Sequence, residues 1–179
     1  MSKYYYNEDY FKKIDTAEKA YWLGFLYADG CITRFYRNEK LKSMSLELTL
    51  QDEDCMHLVK FKDALESNVP IQHKIINNKY KSDRIVINCT SMCRDLIELG
   101  CTPTKSLTLE FPDNDILPDE YLRDFIRGYF DGDGCITKLN GNQISKVSIG
   151  FACPYDFGLE LQKYLKESYD INNDFFYIK

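Results

Sequence analysis

Hydrophobic and polar positions along this chain follow first a helical period and then a strand period. Residues 17–29 predict a helix, for which Thr16 is a suitable N-cap and Gly30 a suitable end. Residues 31–36 and 43–51 predict a β-hairpin that follows this helix at once. In its second strand apolar side chains occupy every other position, with polar side chains between them, so one face of the strand is buried.

The same block continues with a helix, a second hairpin and a short helix. The first helix begins at Asp52 or Glu53 and reaches about Ser67, because apolar residues recur along one face. Ser91 is the expected N-cap of the short helix, which ends at Gly100. The predicted ranges are 71–77 and 84–89 for the strands of the hairpin and 92–99 for the short helix.

A second block repeats this order after a proline-containing connector. Asp119 begins a predicted helix over 120–132, and the later elements are strands at 135–139 and 144–151, a helix at 155–168 and the start of a strand at 175–178. The domain prediction is an N-terminal arm (1–15), a first unit (16–100), a connector (101–118) and a second unit (119–179). We expect the second unit to lack its last strand and helix.

The two predicted helices carry the same segment. Residues 22–33 read Trp-Leu-Gly-Phe-Leu-Tyr-Ala-Asp-Gly-Cys-Ile-Thr, and residues 126–137 read Ile-Arg-Gly-Tyr-Phe-Asp-Gly-Asp-Gly-Cys-Ile-Thr. A repeat of this length indicates a duplicated unit with an internal two-fold relation. Small residues with i,i+4 spacing lie on one helix face and allow two backbones to approach closely, or they are merely tolerated packing: Gly24, Ala28, Gly128 and Gly132.

Asp29 and Asp133 are matching residues at the ends of the two helices. A carboxylate at a helix C-terminus opposes the helix dipole at a cost of about 0.3–1 kcal/mol, and two like charges add to it. A divalent cation removes both penalties and gains two oxygen ligands, so the pair predicts a metal site that can hold a phosphate. The alternative is that each carboxylate only stabilises the turn at Gly30 or Gly134.

Composition changes this picture in three ways. Seven cysteines without a Cys-x-x-Cys pair, and two histidines, predict small buried thiols rather than a zinc site. A net charge of −5 opposes nucleic-acid binding, which usually needs an excess of Lys and Arg. No long apolar stretch or apolar signal core occurs, so we expect a cytoplasmic protein with no membrane partner.

The segments 22–30 and 126–134 resemble the two copies of the motif that names the LAGLIDADG homing endonucleases. The order of predicted elements fits the same family over roughly residues 16–179. The resemblance implies an α+β fold of tandem, pseudo-two-fold αββαββα units. The antiparallel sheets of such a protein form a saddle over the DNA major groove, although the second unit of this chain is expected to be incomplete.

The resemblance also implies a chemistry. Asp29 and Asp133, with the adjacent Gly30 and Gly134, would bind Mg²⁺, for which Mn²⁺ or Ca²⁺ can substitute in binding. The activated water would hydrolyse phosphodiesters in both DNA strands as staggered cuts across the minor groove. The sixth motif position is Tyr27 in the first copy and Asp131 in the second, and it is usually structural.

Two further residues are candidates for catalysis. The segment 100–107 resembles the stretch before the second motif in family members, where a lysine reaches the active site, so Lys105 could stabilise charge on the phosphate. Its alternative role is that of a solvated loop lysine. Gln51 is a weaker candidate for orienting the water, since it can also be an ordinary polar residue at a strand end.

Polar side chains opposite the apolar strand faces are predicted to read DNA. Two-stranded ribbons fit the major groove, and Arg, Gln, Asn and Thr contact base edges there. The alternative is an ordinary solvated sheet face. The candidates are Thr33, Phe35, Arg37, Ser45, Glu47, Thr49, Gln72, Lys74, Arg84, Asn88, Thr137, Lys146 and Ser148.

Three hypotheses follow. The first is a site-specific endonuclease encoded by an intron, intein or phage genome, acting on double-stranded DNA in a bacterial or phage-infected cell. The second is a non-catalytic or impaired relative that serves as a DNA-binding regulator or RNA maturase. The third is an acidic protein that binds another protein through its sheet. An incomplete second sheet would also leave an edge open for self-association.

Overall fold

The computed structural model describes residues 3–76, 80–103, 108–139 and 146–171. Its helices and antiparallel sheets confirm the predicted α+β class. The helices are α1 (Ala17–Asp29), α2 (Cys55–Ala64), α3 (Thr90–Glu98), α4 (Asp119–Asp133) and α5 (Tyr155–Tyr169). The strands are β1 (Gly30–Arg37), β2 (Lys40–Gln51), β3 (Gln72–Ile76), β4 (Tyr80–Ile87), β5 (Gly134–Leu139) and β6 (Lys146–Phe151).

Four of these strands form one sheet in the order β1-β2-β4-β3, in which every neighbouring pair is antiparallel. Its apolar face lies on helices α2 and α3, which contribute Leu58, Phe61 and Met92 to the same core as Ile32 and Leu46. The alternating residues of β2 therefore have one buried and one polar face, as the pattern predicts. Strands β5 and β6 form a separate two-stranded sheet within the described residues.

Helix α1 has the bounds that its sequence predicts. The Thr16 hydroxyl accepts a hydrogen bond from the Lys19 amide at 3.2 Å and caps the first turn. Gly30 follows the helix with φ −68°, which is extended rather than left-handed backbone. Glycine is needed here for space, because a Cβ would press on the Leu26 carbonyl and side chain.

Two local predictions are wrong. Helix α3 begins at Thr90 after an extended Cys89, so Ser91 lies inside the first turn, where its hydroxyl contacts Glu8 at 3.4 Å instead of capping the helix. The helix predicted over 52–67 is divided, because Asp52–Asp54 forms a 3-10 turn before α2 and the chain reverses at Glu66 with φ 48°. The strand predicted at 175–178 lies outside the described residues. Within the described ranges, no helix is long and apolar enough to span a membrane.

Candidate functional site

Helices α1 and α4 meet along their small residues. A Cβ added at Gly24 would overlap the backbone carbonyl of Phe125, and one added at Gly128 would overlap the carbonyl of Tyr21. One turn further on, a Cβ at Gly132 would overlap the Ala28 side chain. The two backbones are therefore in direct contact, which only residues with little or no side chain permit.

This contact brings together the ends of the two helices. Asp29 and Asp133 are the last residues of α1 and α4, and both are half-buried. The Asp29 carboxylate oxygen Oδ2 lies 3.2 Å from the position that a Cβ of Gly132 would occupy. Asp29 therefore lies against Gly132, which is in the last turn of α4 and directly precedes Asp133. The repeated segment places one carboxylate from each copy at the same end of the helix pair.

Each aspartate is held at a junction between a helix and a strand. The amide of Gly30 donates to the Leu26 carbonyl and that of Gly134 to the Phe130 carbonyl, and both glycines begin a strand in extended conformation. Beside Asp133, burial raises the pKa of Tyr129, and the Asp133 carboxylate raises that pKa further.

An open pocket of about 440 Å³ lies beside Asp29. Gln51, at the end of β2, shares this pocket with Asp29, so the structure brings two of the predicted catalytic residues together. The pocket is also lined by Asp54, His57 and Asp131, which sequence analysis did not assign to the site. The sequence signals for them were the i,i+3 spacing of Asp54 and His57 near the start of the second helix and the place of Asp131 in the repeated motif.

Hydrogen bonds connect these additional residues across the helix pair. The Tyr21 hydroxyl donates to Asp131 Oδ2 at 2.7 Å and lies 3.1 Å from His57 Nε2. Because a hydroxyl has one proton, His57 Nε2 must donate to the tyrosine oxygen, which fixes the imidazole tautomer. Burial lowers the pKa of His57, and the Lys60 ammonium lowers it further. The imidazole is therefore neutral at pH 7.

The donor set of this pocket fits a divalent cation. Asp29, Asp54 and Asp131 line it, and none of its described lining residues is Lys or Arg. Carboxylate oxygens are the donors that Mg²⁺ and Ca²⁺ prefer, and two helix C-termini add partial negative charge. Lys105 lies outside the described residues, so its position relative to the pocket is not part of this geometry.

Six of the thirteen predicted DNA-reading residues are connected by strand pairing or hydrogen bonds within the four-stranded sheet. Thr33 pairs with Ser45 across β1 and β2, and Arg84 lies opposite both Thr49 and Gln72. Arg84 donates to Gln72 Oε1 at 2.9 Å and to Glu47 Oε1 at 3.3 Å, so these three side chains form one cluster. Ser45 is only 4% exposed, so it offers no surface to DNA and the prediction for it is wrong.

The remaining predicted readers lie at the margins of the two sheets. Phe35 and Arg37 are exposed at the tip of β1, next to an irregularity in the pairing with β2. Lys74 is exposed on β3, and Asn88 is exposed just after β4. Thr137 pairs directly with Ser148 in the second sheet, and both are exposed. Lys146 begins β6, but its side chain lies outside the described part.

Charge is distributed unevenly between strands and helices. The six strands carry nine basic residues, Arg34, Arg37, Lys40, Lys42, Lys74, Lys81, Arg84, Lys138 and Lys146, and two acidic ones, Glu47 and Asp83. Of the two acids, Asp83 is buried and Glu47 is paired with Arg84. The net charge of −5 therefore arises from the rest of the chain and does not describe the strands.

Comparison with known families agrees with the repeat and the fold. A sequence model described as the LAGLIDADG-like domain matches residues 120–172, which begin in α4 and include β5, β6 and α5. Residues 120–172 therefore resemble a LAGLIDADG-like domain. The matched range contains the second repeated segment, so the resemblance of that segment to the LAGLIDADG family is confirmed. Comparison with curated proteins finds no match.

Solved structures of LAGLIDADG proteins share the fold. The LAGLIDADG meganuclease I-CpaMI bound to uncleaved DNA aligns with 89% of this chain and 76% of its own, at 13% identity and a TM-score of 0.53. I-SmaMI bound to an uncleaved DNA target in the presence of calcium ions aligns over 89% and 74%, at 13% identity and 0.52. The homing endonuclease I-LtrWI bound to target DNA aligns over 93% and 74%, at 12% identity and 0.51.

Proposed function

We propose that this LAGLIDADG protein is a site-specific DNA endonuclease that hydrolyses phosphodiesters in both strands of a long target site with Mg²⁺. The observation that carries the proposal is the position of the Asp29 carboxylate against Gly132, the residue that precedes Asp133 in the last turn of α4. If an internal two-fold axis relates these two carboxylates, each of them can act on one strand of a DNA duplex. The similar solved proteins are described as meganucleases or homing endonucleases bound to DNA.

The side chains of the pocket have distinct roles in this proposal. Asp29, which lines the pocket, and Asp133, at the end of the neighbouring helix, would hold the cation, which would supply Lewis acidity. Gln51 lies in the same pocket and orients the attacking water through its amide. His57 lines the same pocket and is neutral, so its unprotonated ring nitrogen, Nδ1, can accept a proton. Lys105 is proposed to stabilise the charge on the phosphate.

The strands provide the proposed DNA-binding surface. Their excess of basic residues gives phosphate contacts despite the acidic total, and the cluster of Arg84, Gln72 and Glu47 provides both donors and acceptors for base edges. Thr33, Thr49 and Thr137 are exposed polar residues on strands of the two sheets. We propose that the two units, 16–100 and 119–179, bind successive halves of one DNA site in the cytoplasm.

A non-catalytic relative is the second candidate. Within the described residues, the second sheet has two strands and the first has four, so the two halves offer DNA unequal surfaces. A DNA-binding regulator or an RNA maturase would need the fold and the basic strands, but it would not need the paired aspartates. Cleavage by the wild type that is lost in the Asp29 and Asp133 variants therefore favours the endonuclease over the non-catalytic relative.

The test is cleavage of a genomic or random DNA library with Mg²⁺, followed by sequencing of the ends. We expect short staggered ends at one long site, and loss of these ends in Asp29→Asn and in Asp133→Asn. Asp115→Asn removes an exposed carboxylate elsewhere and is the matched control. DNA retention is measured in Ca²⁺ for every variant. Sequence-selective retention without any cutting would favour the regulator, and absence of both would overturn the proposal.

A further inference from the structure

Three potential metal ligands converge outside the pocket of Asp29. Cys55 Sγ, a ring nitrogen of His73 and a carboxylate oxygen of Asp83 all lie within 4.8 Å of one another. Cys55 is the first residue of α2, His73 lies on β3 and Asp83 on β4. They are separated along the chain, so no short motif revealed them, and the absence of Cys-x-x-Cys predicted no zinc site.

The sheet register creates this cluster. His73 and Asp83 are direct partners across β3 and β4, and His73 Nδ1 lies 2.6 Å from Asp83 Oδ1. Asp83 is 3% exposed, whereas the side chain of His73 is 73% exposed. Hydrogen bonds from Cys55 and His73 lower the pKa of Asp83, against the effect of its burial. A buried carboxylate thus has a thiol on one side and an imidazole open to solvent on the other.

The donor types fit a borderline-soft cation. Zn²⁺ binds Cys sulfur at about 2.3 Å and His nitrogen or Asp oxygen at about 2.0–2.2 Å. In a tetrahedron these bond lengths separate neighbouring ligand atoms by about 3.3–3.6 Å. The distance of 2.6 Å between His73 Nδ1 and Asp83 Oδ1 is shorter than this range. All separations between the ligand atoms of the three residues are within 4.8 Å. The required adjustment is small, because β3 is an edge strand and the His73 ring is exposed.

The same three residues need not bind a metal to be satisfied. A buried Asp83 that accepts from a thiol and an imidazole is a complete hydrogen-bonding arrangement. The arrangement nevertheless brings together one sulfur, one nitrogen and one oxygen donor, whereas the pocket of Asp29 is lined by three carboxylates. Thiolate and imidazole select Zn²⁺ or Co²⁺ over Mg²⁺.

We propose that Cys55, His73 and Asp83 bind one Zn²⁺ ion, with water completing the coordination. The ion joins the start of α2 to the β3–β4 hairpin and stabilises this end of the first sheet. Binding requires loss of the Cys55 proton. Affinity for the metal therefore falls as the pH is lowered. This site is independent of nuclease activity.

The test uses the full chain, freed of metal with a chelator and titrated with Co²⁺ and then Zn²⁺. We expect a thiolate-to-cobalt absorption band that saturates at one equivalent, disappears when Zn²⁺ is added, and accompanies a rise in Tm of several degrees. Cys55→Ser and His73→Gln abolish the band and the rise in Tm. Cys31→Ser removes an exposed cysteine on β1 and is the matched control that retains both.

Three results with the wild type and the cysteine variants would overturn the proposal. They are absence of the cobalt band in the folded wild type at pH 7.5, persistence of the band in Cys55→Ser, or its loss in Cys31→Ser. His73→Gln changes an exposed side chain, so it retains the fold even if Cys55→Ser does not. A His73→Gln protein that binds Co²⁺ as tightly as wild type would also contradict the proposed ligand set.

Discussion

The two repeated segments lead into two hairpins with the same local structure and opposite burial. Ile32 in β1 is 5% exposed, whereas its counterpart Ile136 in β5 is 67% exposed. Their cross-strand partners differ in the same way, since Leu46 is 1% exposed and Ile149 is 64% exposed. Identical sequence around the helix end therefore specifies the turn and the strand, but it does not specify the core.

The difference arises from what covers each hairpin. Strands β1 and β2 continue into a four-stranded sheet, and α2 and α3 bury its apolar face. In the second half, α5 packs Phe157 onto Tyr129 and Phe111, so it is anchored to α4 and the connector. The apolar side of β5 and β6 remains exposed within the described ranges, including Val147.

Substitution at the matched isoleucines should give the largest stability difference. Ile32→Ala leaves a cavity in the core and should lower the free energy of unfolding by about 2–5 kcal/mol. Ile136→Ala removes an exposed side chain and should change it by less than about 0.5 kcal/mol. Urea denaturation followed by circular dichroism measures both. Equal effects of the two substitutions would show that the second hairpin is covered in solution.

The helix contact is the part of the comparison in which both copies should behave alike. Gly24→Ala and Gly128→Ala each place a methyl group on a backbone carbonyl, so each should cost about 1–3 kcal/mol of stability. In an unconstrained helix the same change stabilises by about 0.5–1 kcal/mol, so the sign of the effect is informative. Urea midpoints that rise in either variant would contradict direct backbone contact.

The smallest expected effect concerns the helix starts, which differ between the copies. Helix α1 has a side-chain cap from Thr16, whereas α4 begins after Pro118 without one. Thr16→Ala should lower stability by about 1 kcal/mol, because the Lys19 amide loses its partner. Thr16→Ser keeps the acceptor and serves as the control in thermal denaturation. A loss equal to that of Thr16→Ala in this control would assign the effect to packing.

Local sequence patterns, such as periodicity and capping residues, predict local structure well. The bounds of α1, the alternation of β2 and the α+β class follow from periodicity and caps, and the structure confirms them. The N-cap at Ser91 was wrong because Cys89 supplies the extended residue before the helix. Backbone geometry determines which residue is the N-cap, and the residue types that are preferred at caps do not fix this position to within one residue.

Tertiary features could not be predicted in the same way. Ser45 has the polar parity of β2, but the sheet buries it, and the exposure of Ile136 depends on the absence of a covering element within the described residues. The convergence of His57 with Asp29, and of Cys55 with Asp83, depends on contacts between distant elements. The roles of Asp29, Asp133, Gln51 and Lys105 in catalysis stay predictions.

The most direct test of the paired aspartates is a strand-resolved cleavage assay on the selected DNA target with Mg²⁺. We predict that the wild type cuts both strands, and that Asp29→Asn and Asp133→Asn each reduce cutting by a factor of about 10²–10³, as expected when a group that stabilises the transition state is lost. Circular dichroism is measured in parallel to show that each variant is folded. Metal-dependent cutting that persists in a variant with both Asp29→Asn and Asp133→Asn would contradict the account.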